Sequence, residues 1–398
     1  MKQQQSKIIS LIVFGNILEY YDFLLFAHLG FIITPLFFPD HSSTYTHILS
    51  LLLFGLSFIV RPIGGYIFGL MSDKHGRKTA LVQSVKWAIL PSLGLAFLPS
   101  FTDIGIVGSL IFVLLRLTQG IAMGGEYPVA GIYLMETKAN HQGLISSIIV
   151  ASGTVGSLIA LLMAVACMQP WAPEWLWRVA FFIGGVGSYL SYRMRNFLSE
   201  FSPAQTTDLQ KTDPNIKFKR FLVVMIGLLI GVTVWLPMTY SNFYVTKILN
   251  LPTTTGLYTS FIAIITFILV LPFIGLIYDA VNQRKYMIYA ALLVAPTSIF
   301  CLYLLTKGYI VLAQIGFTTT AAIFGGPLHK LIYSLFSREV RGRNIGILLM
   351  SGLSFGGMFP SIAGFIVTKT GLDLAPSLLV SIIALATAAS LYKGLKLN

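Results

Sequence analysis

Apolar positions along this chain keep neither the two-residue alternation of a half-buried strand nor the narrow stripe of a surface helix. They run in long blocks broken by short polar loops, near residues 8–35, 47–71, 80–98, 105–134, 144–167, 176–196, 219–245, 255–278, 286–305, 309–335, 345–367 and 374–392. Each block approaches the roughly 20 residues that cross a bilayer as a helix, and all far exceed a barrel strand. The pattern therefore predicts twelve transmembrane helices, with both termini on one side. One long polar connector, "SEFSPAQTTDLQKTDPNIKFK", follows the sixth block. It divides the chain into an N-terminal bundle (1–198), a cytoplasmic linker (199–218) and a C-terminal bundle (219–398). The loop "GLMSDKHGRK" after block two returns loosely as "GLIYDAVNQRK" after block eight. Equal halves with matching loops imply a duplicated six-helix unit whose copies rock about a central site.

Composition agrees with a membrane protein and narrows its chemistry. Hydrophobic residues make up 56% of the 398 residues and charged ones 10%, a balance that one water-soluble core could not hide. The formal charge of +13 does not point to nucleic acid, because most Lys and Arg fall in the tails and in the loops after even-numbered blocks. Lys74, Arg77, Lys78, Lys219, Arg220, Arg284, Lys285, Arg338, Arg341 and Arg343 are examples, against Lys247, Lys307 and Lys369 on the other side. That bias places both termini in the cytoplasm and the basic surface against anionic headgroups. Lys2 and Lys7 precede an apolar run too long for a signal peptide and lacking a small-residue cleavage pattern, so it reads as the first span. Cys167 and Cys301 form no redox or ligand motif. No metalloprotease, P-loop or nucleophile-elbow pattern occurs, so neither an enzyme nor a metal or organic cofactor is expected.

The loop "GLMSDKHGRK" resembles the signature of the major facilitator superfamily. "GNILEYYDF", "RPIGGYIFG", "RLTQGIAMGGEYPVAGIYLME" and "WLWRVAFF" resemble, within it, the metabolite:proton symporters, which include carriers of citrate, 2-oxoglutarate, shikimate, proline and betaine. The resemblance implies an all-α, twelve-helix fold of two pseudo-symmetric bundles in a bacterial inner membrane. It further implies alternating access by a monomer, with a proton as the coupling ion and a small molecule as substrate. It assigns coupling to a first-span acid facing a fourth-span arginine, here Asp22 and Arg116, with Glu19 beside them. It also makes Gly69, Asp73, Gly76 and Arg77 a gate latch favouring the outward-open state, with Asp279 and Arg284 as a weaker counterpart. The chain departs from the group in lacking the second loop's glycine, in having Ser334 and Ser337 in "SLFSREVRGR" where a Glu-x-Phe-Pro pattern is usual, and in carrying Lys86 in span three.

The buried charges carry the chemistry. Glu19 and Asp22 are three residues apart and share a helix face, and an ionised residue at the bilayer centre costs about 2.5–3.5 kcal/mol on insertion scales. Desolvation favours a neutral carboxyl and a nearby guanidinium an ionised one, so a carboxyl under both influences can load and release a proton. Direct pairing of Asp22 with Arg116 is expected, and a second pair between Arg61 and Glu126. Lys86, His329 and Lys330 either reach the headgroups or face the cavity; in the second case, cations would outnumber acids and favour an anionic substrate. Around Pro237, Tyr240 and Asn242 suit either a gating helix or an interfacial aromatic belt. With Tyr21, these residues complete the candidate substrate site: Arg61, Lys86, Arg116, Glu126, Tyr240, Asn242, His329 and Lys330. The expected function is proton-coupled uptake of an organic acid or zwitterion. The alternative is a proton-driven exporter of a drug or a secreted metabolite such as a polycarboxylate siderophore. A receptor would carry a long cytoplasmic extension, and a channel a repeated pore loop.

Overall fold

A computed structural model describes residues 2–39, 49, 53, 55–137, 140–200 and 214–396, and most of the 199–218 linker lies outside them. No strand occurs among the described residues. Among the described residues eleven helices are long and apolar enough to cross a membrane: α1 (Gln5–Phe37), α2 (Gly55–His75), α3 (Arg77–Phe97), α4 (Ile106–Glu136), α5 (Gln142–Cys167), α7 (Ile216–Ile248), α8 (Thr254–Ala280), α9 (Gln283–Thr306), α10 (Ile310–Tyr333), α11 (Arg341–Thr370) and α12 (Ala375–Gly394). The sixth block also folds as a helix, α6 (Leu176–Arg195). Arg178, Arg193 and Arg195 lower its apolarity, which is why it stands apart from the eleven.

Helices form here because a bilayer leaves backbone groups no partner except those within the same segment. Prolines inside α3, α4, α8 and α9 (Pro91, Pro128, Pro272 and Pro296) do not end them, as packing in a bundle re-satisfies the freed carbonyls. At Pro237 the chain stays helical but widens. Leu236–Tyr240 and Tyr244–Ile248 are π-helical, flanking the single α-turn Ser241–Phe243.

The chain packs as two compact units. The first holds residues 1–137, 152–204 and 338–347. Within it α3 packs on α4 and α6, α1 on α6, and α2 on α4. The start of α11 meets α2 through facing glycines: a Cβ on Gly69 would stand 2.4 Å from the Gly342 carbonyl oxygen, and one on Gly346 2.0 Å from that of Gly65. The second unit holds residues 138–151, 205–337 and 348–398. There α12 packs on α9 and α7, and α8 on α10. Phe267, Leu271 and Ile274 of α8 pack with Ala321 and Ala322 of α10 and Ala151 of α5. Gly231 of α7 and Gly356 of α11 touch backbone to backbone, and a Cβ on Gly231 would lie 2.7 Å from the Gly356 Cα. In both units large apolar side chains remain exposed, among them Leu90, Phe97, Leu114, Leu269, Phe273 and Phe365. In water such faces would aggregate, whereas lipid solvates them.

Candidate functional site

Besides Asp73 and Arg77, where α2 turns into α3, the first unit buries six charged side chains: Glu19, Asp22, Arg61, Arg116, Glu126 and Arg195. Three acids face three guanidinium groups, so the whole set can balance. The local pairing differs from the expected one.

Asp22 does not bind Arg116 directly. Its Oδ2 accepts from Ser92 Oγ of α3 at 2.5 Å and from Gln119 Nε2 of α4 at 2.6 Å. Gln119 in turn accepts, through Oε1, a bond from Arg116 Nη1. An amide therefore stands where a bidentate ion pair was expected, because Gln119 lies one turn beyond Arg116 on the face that meets α1. Asp22 Oδ1 has no partner. It rests on Gly184 of α6, where a Cβ would come within 2.3 Å of it. Arg116 is fully buried, with Nε and Nη2 unpartnered, and its guanidinium lies 4.3 Å from the Phe26 ring centroid.

The expected Arg61–Glu126 pair is also replaced. Arg61 is held between two aromatic faces, 4.2 Å from the Phe23 centroid and 4.0 Å from that of Phe58, a cation–π arrangement. Among the described residues no acid forms an ion pair with it. Glu126 instead meets Arg195, whose Nη2 donates to Glu126 Oε1 and to Glu19 Oε1, the latter at 2.9 Å. Ser191 Oγ also donates to Glu19 Oε1 at 2.9 Å and accepts from Arg195 Nε at 3.2 Å. Gly15 supplies the room: a Cβ there would stand 3.0 Å from Arg195 Nη2. Thus Glu19 and Asp22, one helical turn apart, serve separate clusters. Arg195 and Gln119 are the residues sequence reasoning missed. Arg195 lies at the end of the sixth apolar block and drew no assignment, yet Ser188, Ser191 and Arg195 recur at i, i+3 and i+7, the stripe that turns inward on a helix. Gln119 falls on the matching stripe of α4 with Arg116, Met123 and Glu126.

The remaining candidates scatter. Tyr21 is buried, but its hydroxyl donates to the Ala180 carbonyl at 3.1 Å. Lys86 is on the exposed side of α3 beside the exposed Trp87, so it does not join the buried cations. In the second unit His329 is buried, with its backbone N–H donating to Ser146 Oγ, and Lys330 Nζ donates to Gln142 Oε1. Tyr240 is fully buried with an unpartnered hydroxyl, its ring 6.0 Å from that of Tyr244. Asn242 Nδ2 reaches Ser260 Oγ at 3.4 Å.

The two repeated loops perform the same local task, one in each unit. Asp73 accepts from the backbone N–H groups of Gly342 (2.8 Å) and Arg343 (2.9 Å), at the start of α11. Asp279 accepts from those of Gly143 (2.8 Å) and Leu144 (3.0 Å), at the start of α5. Each carboxylate satisfies orphan donors and complements the positive end of a helix. The first copy is stronger. Arg77 bonds Asp73 at 2.8 Å and Glu136 at 3.1 Å, and donates to the Arg338 carbonyl, while Glu136 also meets Arg341. In the second, Arg284 is exposed and forms no ion pair with Asp279 among the described residues. Gly76, at φ 101°, turns the chain from α2 into α3, where Glu200 caps the N–H groups of Lys78 and Thr79.

Comparison with known proteins gives one consistent picture. The family described as Major Facilitator Superfamily matches residues 23–360. The chain is 25% identical to a proline/betaine transporter of Salmonella typhimurium, over 97% of this chain and 83% of that one. It is 29% identical to an alpha-ketoglutarate permease of Escherichia coli, over 69% and 66%. Among solved structures, the proton:xylose symporter XylE superposes with a TM-score of 0.77 at 16% identity, covering 98% of this chain and 96% of that one.

Proposed function

The chain belongs to the Major Facilitator Superfamily, a membrane transporter by descent, and from that premise we propose that it is a proton-coupled symporter for a small polar metabolite, an organic acid or a zwitterion. In this reading it works as a monomer of twelve spans in a bacterial inner membrane, with both termini cytoplasmic, by alternating access. The observation that carries the reading is Asp22: a carboxylate almost fully enclosed by four helices, held by two neutral donors, with its guanidinium one residue removed. A charge so placed is expensive in a bilayer interior, and a proton removes it.

Gln119 makes that proton felt at Arg116. With Asp22 ionised, the amide gives N–H to the acid and takes a bond from the guanidinium. A proton arriving on Asp22 Oδ2 turns that oxygen from acceptor into donor. Gln119 then presents Oε1 to it and withdraws Oε1 from Arg116, which is freed for an anionic group on the substrate. Arg61, clamped between Phe23 and Phe58, supplies a second guanidinium without an acid of its own. Two such cations suit a carboxylate, which the two curated relatives' names also favour. Asp73 and Asp279, with Gly69, Gly76 and Arg77, act as latches at the helix starts they cap. Purified protein in liposomes under an imposed pH gradient, offered carboxylic acids and betaines, tests the assignment. Asp22→Asn is expected to abolish gradient-driven accumulation while keeping substrate exchange; undiminished accumulation removes Asp22 from the proton path.

A further inference from the structure

Arg195 is shared. Its Nη2 donates to one oxygen of Glu19 and one of Glu126, so the two carboxyl groups converge on a single nitrogen. All three side chains are essentially without solvent, at 0–4% exposure. One guanidinium compensates one negative charge, and two carboxylates at one buried site cannot both ionise cheaply. Glu126 Oε2 is buried and accepts no hydrogen bond.

We infer that Glu19 and Glu126 hold a single proton between them over Arg195, a second protonation site distinct from Asp22. It rests on the geometry of α1, α4 and α6, and it deepens the transport reading without depending on Asp22. Among the described residues the other ionisable groups around it are Tyr20 on α1, Tyr127 on α4 and Arg61 on α2, and on the α5 side the neutral Ser152 accepts from Asn16 of α1. With the shared proton bound, the triad is neutral, and of the three remaining charges Asp22 offsets one of the two guanidinium groups, Arg61 and Arg116. The interior then carries one net positive charge, which a single carboxylate on the substrate neutralises. Proton loading at the triad and anion binding at the arginines thus favour each other through charge alone.

Infrared difference spectroscopy of the full chain in lipid, without substrate, tests the site apart from transport. At neutral pH Asp22→Asn should retain a protonated-carboxyl stretch that shifts on H/D exchange. That stretch should also shift when glutamate is labelled with ¹³C, a test needing no substitution at the triad. It should disappear when either Glu19→Gln or Glu126→Gln is added. No such stretch in Asp22→Asn, one that ignores the glutamate label, or one that persists with both glutamates replaced overturns the proposal. Loss of accumulation in Asp22→Asn with the stretch intact supports both sites, whereas intact accumulation defeats only the role given to Asp22.

Discussion

Gln119 donates through Nε2 to Asp22 and accepts through Oε1 from Arg116, so a single amide carries the state of the acid to the cation. Gln119→Leu keeps the volume and removes both bonds. Hydrogen bonds to charged groups are worth about 1.5–3 kcal/mol each, so coupled accumulation is expected to fall roughly ten- to a hundredfold while downhill exchange survives; equal loss of both activities would mean a purely structural role. At Arg61 the relevant property is shape as well as charge. Its planar guanidinium stacks between Phe23 and Phe58, and a lysine ammonium neither stacks nor forks. Arg61→Lys should therefore raise the KM for a carboxylate substrate about tenfold or more, with a smaller effect on the maximal rate, as read from initial uptake rates. An unchanged KM would take Arg61 out of the substrate site.

At the level of elements, the helices meet where side chains are missing. The contact of Gly231 on α7 with Gly356 on α11 leaves no room for a methyl group, whereas a Cβ on Gly55 of α2 meets none of the described residues within 4 Å. Alanine is a better helix former than glycine by about 1 kcal/mol, yet overpacking a tight seam costs about 1–3 kcal/mol. Gly55→Ala is accordingly expected to be neutral or stabilising and Gly231→Ala destabilising, in thermal unfolding of the purified protein. Equal midpoints for the two variants would show that the α7–α11 seam yields easily. Small residues four apart, such as Gly352 and Gly356, are visible in the sequence, but spacing within one helix does not identify the helix it faces. The widened turns after Pro237 were partly legible for the same reason: proline announces a disturbed ladder, and only packing decides between a break and a π-turn.

For the whole molecule, the direction of transport follows from which face loads the proton. Acidifying the outside should raise internal substrate if the chain is a symporter and lower it if it is a proton-driven exporter, as measured by accumulation in cells or oriented vesicles. The loops test how equal the halves are. Asp73→Asn releases both a helix start and Arg77, while Asp279→Asn releases a helix start alone, so transport should fall further in the first. The helical blocks, the repeated loops and the identities of nearly all buried charges were readable from the chain, because the cost of placing each residue in lipid belongs to that residue. The pairing of those charges was not readable. Whether Asp22 meets Arg116 or Gln119, and whether Glu126 meets Arg61 or Arg195, depends on how α1, α2, α4 and α6 are rotated and staggered against one another. That is a property of pairs of helices, which no single stretch of sequence contains and only their packing decides.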